Sequence, residues 1–234
     1  MTAFAVHIIT LVPDIWPVIL GRTSGLVGRA FADGRVSLTV HDLRSYGKGV
    51  HRQVDDTPYG GGAGMVLGVE PLVKAITAAK EAEPELPVYL LSPRAKPFTQ
   101  SRAQNLAQGQ GFTLICGRYE GVDERVREYI DAEISLGDFV LSAGDPAAWA
   151  VIDSVVRLLP GVLGNAESIS EESYAQGMVE YPHYTRPAVF EEKEVPAVLR
   201  SGDHGAIARW RHEQSERITK EIRPDLLDLS GEDE

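Results

Sequence analysis

Hydrophobic positions along the chain follow two rhythms that take turns. Residues 4–12 form a largely apolar, β-branched run closed by Pro13 and Asp14, and residues 35–43 alternate Val36, Leu38 and Val40 with Ser37, Thr39 and His41. Both patterns predict strands. Residues 14–32 between them predict helix, interrupted near Pro17 and Gly21. Over 69–82 the spacing of Leu72, Val73, Ile76 and Ala79 predicts a helix, followed by a compact buried strand at 88–91. The alternation continues with a helix near 99–108, a strand at 112–116, a helix near 122–130, a strand near 132–136 and a helix near 147–159. Strands alternating with helices imply an α/β fold, a mostly parallel sheet with helices on both faces.

The rhythm breaks at 160–185, where Pro, Gly, Asn, Ser and Glu accumulate with little periodicity, as in a linker or functional loop. Helical segments follow near 195–201 and 204–221, with Ile207, Trp210 and Ile218 set among charges. The expected organisation is an α/β domain over 1–160, an interdomain linker or active-site loop over 161–179, and a small helical domain over 180–234.

Composition supports a globular reading: 234 residues, 43% hydrophobic and 24% charged, suffice to bury a substantial core. No run of about 18 apolar residues occurs and the first residues lack a signal-peptide pattern, so no membrane span and a cytoplasmic location are expected. Cys116 is the single cysteine, which excludes an internal disulfide or a cysteine-based zinc site within one chain, and its apolar neighbours suggest a buried strand residue. A net charge of −11 argues against a polyanionic partner until its distribution is considered. Residues 183–224 hold eight Lys/Arg against seven Asp/Glu, whereas 225–234 hold five acids and no base. Part of the acid excess is therefore a tail, and Arg44, Lys48, His51 and Arg52 form either a local basic face or scattered surface charges.

Three segments carry candidate chemistry. Tyr59-Gly60-Gly61-Gly62-Ala63-Gly64-Met65 is too dense in glycine for a casual turn, yet lacks the Lys-Ser/Thr of a phosphate loop and follows a poor strand at 55–58. It is either a structural loop or a ligand-holding one. Cys116-Gly117-Arg118-Tyr119-Glu120-Gly121 and Ser135-Leu136-Gly137-Asp138-Phe139 to Asp145 each follow an expected strand, where ligands of open α/β sheets bind. With Leu90-Leu91-Ser92-Pro93 they either converge on one adenosine-sized ligand or remain three ordinary turns. No Gly-x-Ser-x-Gly nucleophile elbow occurs, and the six histidines show no zinc-binding spacing.

Taken together, these segments resemble the bacterial tRNA (guanine-N1)-methyltransferases of the SPOUT superfamily. The resemblance runs from about Val6 to Leu229 through six motifs in order: 51–59 with its glycines, 116–125, 135–145, 152–164 with Pro160-Gly161-Val162-Leu163-Gly164, Pro182-His183-Tyr184-Thr185-Arg186-Pro187, and Arg209-Trp210-Arg211. It implies a deep trefoil knot in the carboxyl half of the α/β domain. It also implies S-adenosyl-L-methionine bound against Leu90, Ser92, Pro93, Gly117, Tyr119, Glu120, Leu136, Gly137, Phe139, Leu141 and Gly144. Further implications are a tRNA substrate meeting Asp55, Tyr59, Gly60, Gly61, His183 and Arg186, a dependence on magnesium (Mg2+) with unassigned ligands, and a homodimer whose active sites take a carboxylate base from the partner's 160–185 loop. The matching base position is Glu172, where the family usually has aspartate; Ala143 replaces a usual glycine and Asp145 a usual glutamate.

The implied reaction suits these residues. Guanine N1 attacks a sulfonium methyl only once its proton is removed, while negative charge builds on O6. Glu172 would accept the proton and Arg157 would stabilise the charge. The plainer readings are an exposed loop acid for Glu172 and a helix residue snorkelling from an apolar surface for Arg157. The expected product is a methyl group on N1 of the guanine at tRNA position 37, immediately 3′ of the anticodon. The alternatives are a methyltransferase for another RNA base or for ribose, and a non-catalytic RNA-binding module of the same fold.

Overall fold

The computed structural model describes residues 3–164, 172–174 and 177–228. Much of the expected linker, including Glu171 and Ala175 beside the candidate base, lies outside the described residues, as does the acidic stretch 229–234. The chain forms two compact units, Met1–Gly164 and Asn165–Glu234.

The first unit is built on strands β1 (Phe4–Thr10), β2 (Val36–Asp42), β3 (Asp55–Asp56), β4 (Val66–Leu67), β5 (Val88–Leu91), β6 (Gly111–Cys116) and β7 (Ala132–Ile134). Five of them form an all-parallel sheet of order β2-β1-β6-β5-β7. Every residue of β1 and β6 is buried. That is why these strands read as largely apolar runs, broken only by the buried His7, Thr10 and Thr113, for a strand covered on both faces has no polar side to alternate with. On the sheet edge, β2 keeps the alternation seen in its sequence.

Helices cover both faces. Val6, Ile8, Phe112, Leu114 and Cys116 pack with Val27 and Ala30 of α2 (Gly25–Ala32), Ala103 of α4 (Gln100–Ala107), and Ala148, Val151, Ile152 and Val155 of α5 (Asp145–Val156). Ile9, Val88, Leu90 and Ile115 point the other way, onto Leu72, Ala75 and Ile76 of α3 (Val69–Ala82). Each fully buried Leu or Ile contributes about 1.5–3 kcal/mol. The short helix α1 (Trp16–Ile19) is separated from α2 near Gly21, as Pro17 and Gly21 suggested.

Several expectations need correction. Residues 55–58 do contain a strand, since β3 pairs antiparallel with β4 on either side of the glycine segment. The stretch near 122–130 is a 3-10 helix, Glu124–Tyr129, in which Val126 is the one buried residue. Such a segment has no apolar stripe to hold a longer α-helix, and the Asp123 carboxylate accepts the Arg125 N–H at 3.0 Å, tightening the first turn. The segment near 195–201 is likewise a 3-10 helix, Ala197–Arg200. Strand β7 stops at Ile134, two residues early.

The second unit is not purely helical. A hairpin of β8 (Val189–Phe190) and β9 (Lys193–Glu194) turns through Glu191 and Glu192, whose φ values of 47° and 65° belong to a two-residue turn normally filled by Asn or Gly. Helix α6 (His204–Ile222) starts at Asp203, whose carboxylate accepts the Ala206 N–H at 2.9 Å. Thr219 on α6 donates to the Ser215 carbonyl at 2.6 Å and accepts the Val179 N–H at 3.0 Å, holding the segment that follows 172–174. No helix among the described residues is long and apolar enough to cross a membrane.

Candidate active site

Strands β6, β5 and β7 lie side by side and parallel, so the loops after Leu91, Cys116 and Ile134 emerge at the same end of the sheet. Hydrogen bonds tie them together: Ser92 N–H donates to the Ile134 carbonyl at 2.9 Å and Gly144 N–H to the Gly117 carbonyl at 2.8 Å. Between them lies a cleft of about 280 Å³. Leu90, Ser92, Pro93, Gly117, Tyr119, Glu120, Leu136, Phe139, Leu141 and Gly144 all line it. Gly137 does not. Its N–H lies 3.1 Å from Ser135 Oγ and its carbonyl accepts the Phe139 N–H at 2.9 Å, which shapes the turn carrying Phe139.

Glycine is required at Gly144 because the start of α5 abuts the end of β6: a Cβ there would stand 2.8 Å from Cys116 Cα and from Gly117 N. Ala143, next to it, is buried in the cleft wall. Tyr119 holds φ at 60°, a strained value for a bulky residue. The strain is held by the neighbouring backbone, where Glu120 N–H donates to the Met65 carbonyl at 3.0 Å and Leu67 N–H to the Gly121 carbonyl at 2.9 Å.

Those two bonds also decide what the glycine segment does. Its far end is zipped to the loop after β6, and Gly64, at φ 77°, lets the Glu120 side chain lie where a Cβ would be, 2.7 Å from Oε1. Its near end is open: nothing lies within 4 Å of a Cβ placed at Gly60 or Gly61, and Tyr59 is fully exposed. Asp55 is half-buried on β3 at the foot of the segment.

Arg157 follows Val156 at the carboxyl end of α5 and is half-buried. Glu172, His183 and Arg186 belong to the second unit. Glu172 is half-buried and precedes a turn in which Tyr174 N–H donates to the Met178 carbonyl at 2.7 Å and Glu180 N–H to Ser173 Oγ at 3.1 Å. His183 and Arg186 are exposed, and the His183 ring lies 4.7 Å from that of Tyr181.

Sequence reasoning overlooked the charged wall of the cleft. Arg94 donates to Glu124 at 3.0 Å, Arg127 to Glu133 at 2.7 and 2.9 Å, and Arg118 lies 3.6 Å from buried Asp145. Arg118 was in view, inside the motif after β6, but nothing in the sequence signalled its pairing with Asp145. Burial pushes the Cys116 thiol well above its ordinary pKa, with the Asp145 charge adding to the rise. Of the four residues of the candidate basic face, Lys48 is bound to Glu70 at 2.7 Å, and Lys48 with Lys74 holds that carboxyl down at about 2.

The cleft fits an adenosine-bearing donor, for Leu90, Leu136, Phe139 and Leu141 give it apolar lining, Gly117 brings backbone to it without a side chain, and Ser92, Arg118 and Glu120 add polar groups. Magnesium is different. Among the described residues no three His, Cys, Asp or Glu side chains gather as a metal site.

A parallel α/β sheet with a cleft formed by three loops at its carboxyl edge is the architecture of a ligand-binding α/β domain. The particular family follows from the chain as a whole: residues 4–229 match the family described as tRNA (Guanine-1)-methyltransferase TrmD, and the chain belongs to it. It is 52% identical over 227 residues to a Roseobacter denitrificans protein named tRNA (guanine-N(1)-)-methyltransferase, covering 96% of this chain and 93% of that one. Proteins of the same name from Rhizobium johnstonii and Myxococcus xanthus are 49% and 52% identical over 99% and 95% of this chain, and 94% and 90% of theirs.

Proposed function

We propose that this chain is a methyltransferase that moves a methyl group from S-adenosylmethionine to N1 of the guanine at tRNA position 37. The observation that carries the reading is the cleft, which gathers three loops of the family's motifs at the carboxyl edge of the sheet in a chain about half identical to proteins named for this reaction. In the proposed organisation, 1–160 is a knotted methyltransferase domain, 161–179 a connecting active-site segment and 180–234 a tRNA-binding domain. The enzyme acts in the cytoplasm as a homodimer, with Glu172 of one subunit serving the cleft of the other.

The donor supplies an electrophilic sulfonium methyl. The protein's part is to hold the donor's adenosine between Leu90, Leu136, Phe139 and Leu141, and to make guanine N1 nucleophilic. Glu172 accepts the N1 proton. Arg157 donates to O6, where the negative charge develops. A guanine in the anticodon loop is already partly unstacked, so drawing it into a pocket costs only a few kcal/mol. Asp55, Tyr59, Gly60, Gly61, His183 and Arg186 meet the RNA in this reading, and the open space beside the Gly60 and Gly61 Cα atoms suits close approach to a backbone. The experiment is to incubate the protein with methyl-labelled donor and unmodified tRNA, digest to nucleosides and separate them. Label in 1-methylguanosine is expected; label in another nucleoside or on ribose contradicts the reading.

A further inference from the structure

One charged pair at the cleft takes no part in the chemistry above. Asp145 opens α5 and is 4% exposed, and a carboxylate so placed is costly unless its oxygens are met. Oδ1 accepts from Thr10 Oγ1 at 2.5 Å, at the end of β1. Oδ2 lies 3.6 Å from Arg118 Nη2, beyond hydrogen-bond reach, and is buried with no hydrogen-bond partner, as is Arg118 Nε. The Arg118 side chain is still one-third exposed and lines the cleft. Arg94 and Arg127, the other arginines of the cleft wall, are committed to Glu124 and Glu133 by hydrogen bonds of 2.7–3.0 Å. Arg118 is thus the cleft cation that a carboxylate balances but does not bond.

We infer that Arg118 binds the carboxylate at the amino-acid end of the methyl donor, and that Asp145, anchored by Thr10, is a positioning residue that holds the guanidinium at the cleft wall. This rests on reading the cleft as the donor site. The donor is a zwitterion with one carboxylate. Four apolar side chains suit its adenosine end, so the carboxylate needs a cation elsewhere in the same small cleft. A planar guanidinium engages a carboxylate through two parallel bonds only when its plane is fixed. The buried Asp145 carboxylate, itself held by the Thr10 hydroxyl, draws the guanidinium to the cleft wall by charge and leaves its N–H donors for the ligand. An RNA phosphate offers similar oxyanion chemistry, but at the scale of a 280 Å³ cleft within one unit the small molecule's own group is favoured.

The test is calorimetric binding of S-adenosylhomocysteine and of its decarboxylated analogue to the full chain, which needs no turnover. Losing the carboxylate should weaken binding to the unsubstituted protein about 10–100-fold, the range for a charge-assisted bond. In Arg118→Gln the two ligands should bind within about threefold of each other. Asp145→Asn should lose part of the discrimination and Asp145→Glu should restore it, a rescue that a purely structural role would not produce. Thr10→Val should act in the same direction as Asp145→Asn, and serves if that variant does not fold. Undiminished discrimination in folded Arg118→Gln overturns the inference. So does an unsubstituted protein that binds both ligands equally, and a loss of tRNA affinity in Arg118→Gln would then assign the guanidinium to a phosphate. If neither ligand binds the folded unsubstituted protein, the donor-site reading itself fails and takes this inference with it.

Discussion

In the proposed reaction, proton removal from guanine N1 falls to Glu172, and exchanging one carboxylate oxygen for an amide nitrogen tests it. Glu172→Gln keeps the size and hydrogen bonding of the side chain but cannot accept the proton, so turnover should fall about 10²–10⁴-fold with donor affinity nearly unchanged. If Glu171→Gln fails while Glu172→Gln turns over normally, the base is the neighbouring residue. Arg157→Ala should lose about 3–4 kcal/mol of transition-state stabilisation, read as a fall in kcat; an unchanged rate would return Arg157 to a helix-end role. At this scale the sequence was informative where a glycine-bearing motif follows a strand, as in 116–121, because such loops have few places to go. It was silent on Asp145 and Thr10, whose meeting spans 135 positions and depends on where α5 starts against the sheet. Gly137 marks the converse limit: a motif glycine can shape the wall without lining it.

Among the elements, β1 and β2 carry a device that local sequence did not reveal. His7 Nδ1 and His41 Nε2 are 3.2 Å apart across the two strands, and His41 Nδ1 is 3.3 Å from Tyr46 Oη. Burial holds both imidazoles below their ordinary pKa of 6.5, partly offset at His7 by the Glu83 charge and reinforced at His41 by His7, while burial and then Asp42 raise the Tyr46 hydroxyl. Above about pH 6.5 both histidines are neutral in either state and impose no penalty. As pH falls below that value, the unfolded chain takes up protons that the folded pair refuses, so stability declines until the folded pKa values are passed. The melting temperature should therefore drop between about pH 6.5 and 5, and less steeply in the His7→Gln, His41→Gln double variant. An identical slope in the two proteins would show that the pair is not responsible. The long elements were legible from hydrophobic pattern alone, as apolar runs in β1 and β6 and as helical segments in α3 and α5, because they bury enough apolar surface for pattern to dominate. The 3-10 segments were not, since charge pairs and tight caps set their geometry, and the β8–β9 hairpin hides behind a Glu191-Glu192 turn that no turn preference suggests.

For the whole molecule, the proposed shared site has a stoichiometric signature. Gly117→Trp should fill the cleft without striking the backbone, since a Cβ at Gly117 meets only the Leu91 carbonyl at 3.5 Å. Mixed by unfolding and refolding with Glu172→Gln, random pairing makes about half the dimers mixed, and one site in each mixed dimer draws two intact halves. About a quarter of all sites should regain activity; if each site were built within one chain, activity would stay at the level of the two variants alone. The central claim, that the cleft serves methyl transfer to one guanine, meets its most direct test in two tRNA transcripts that differ only in the base immediately 3′ of the anticodon, each incubated with labelled S-adenosylmethionine. Transfer to the guanine transcript and none to the adenine transcript is predicted. Equal transfer to both, or none to either by folded protein that binds the donor, would contradict it.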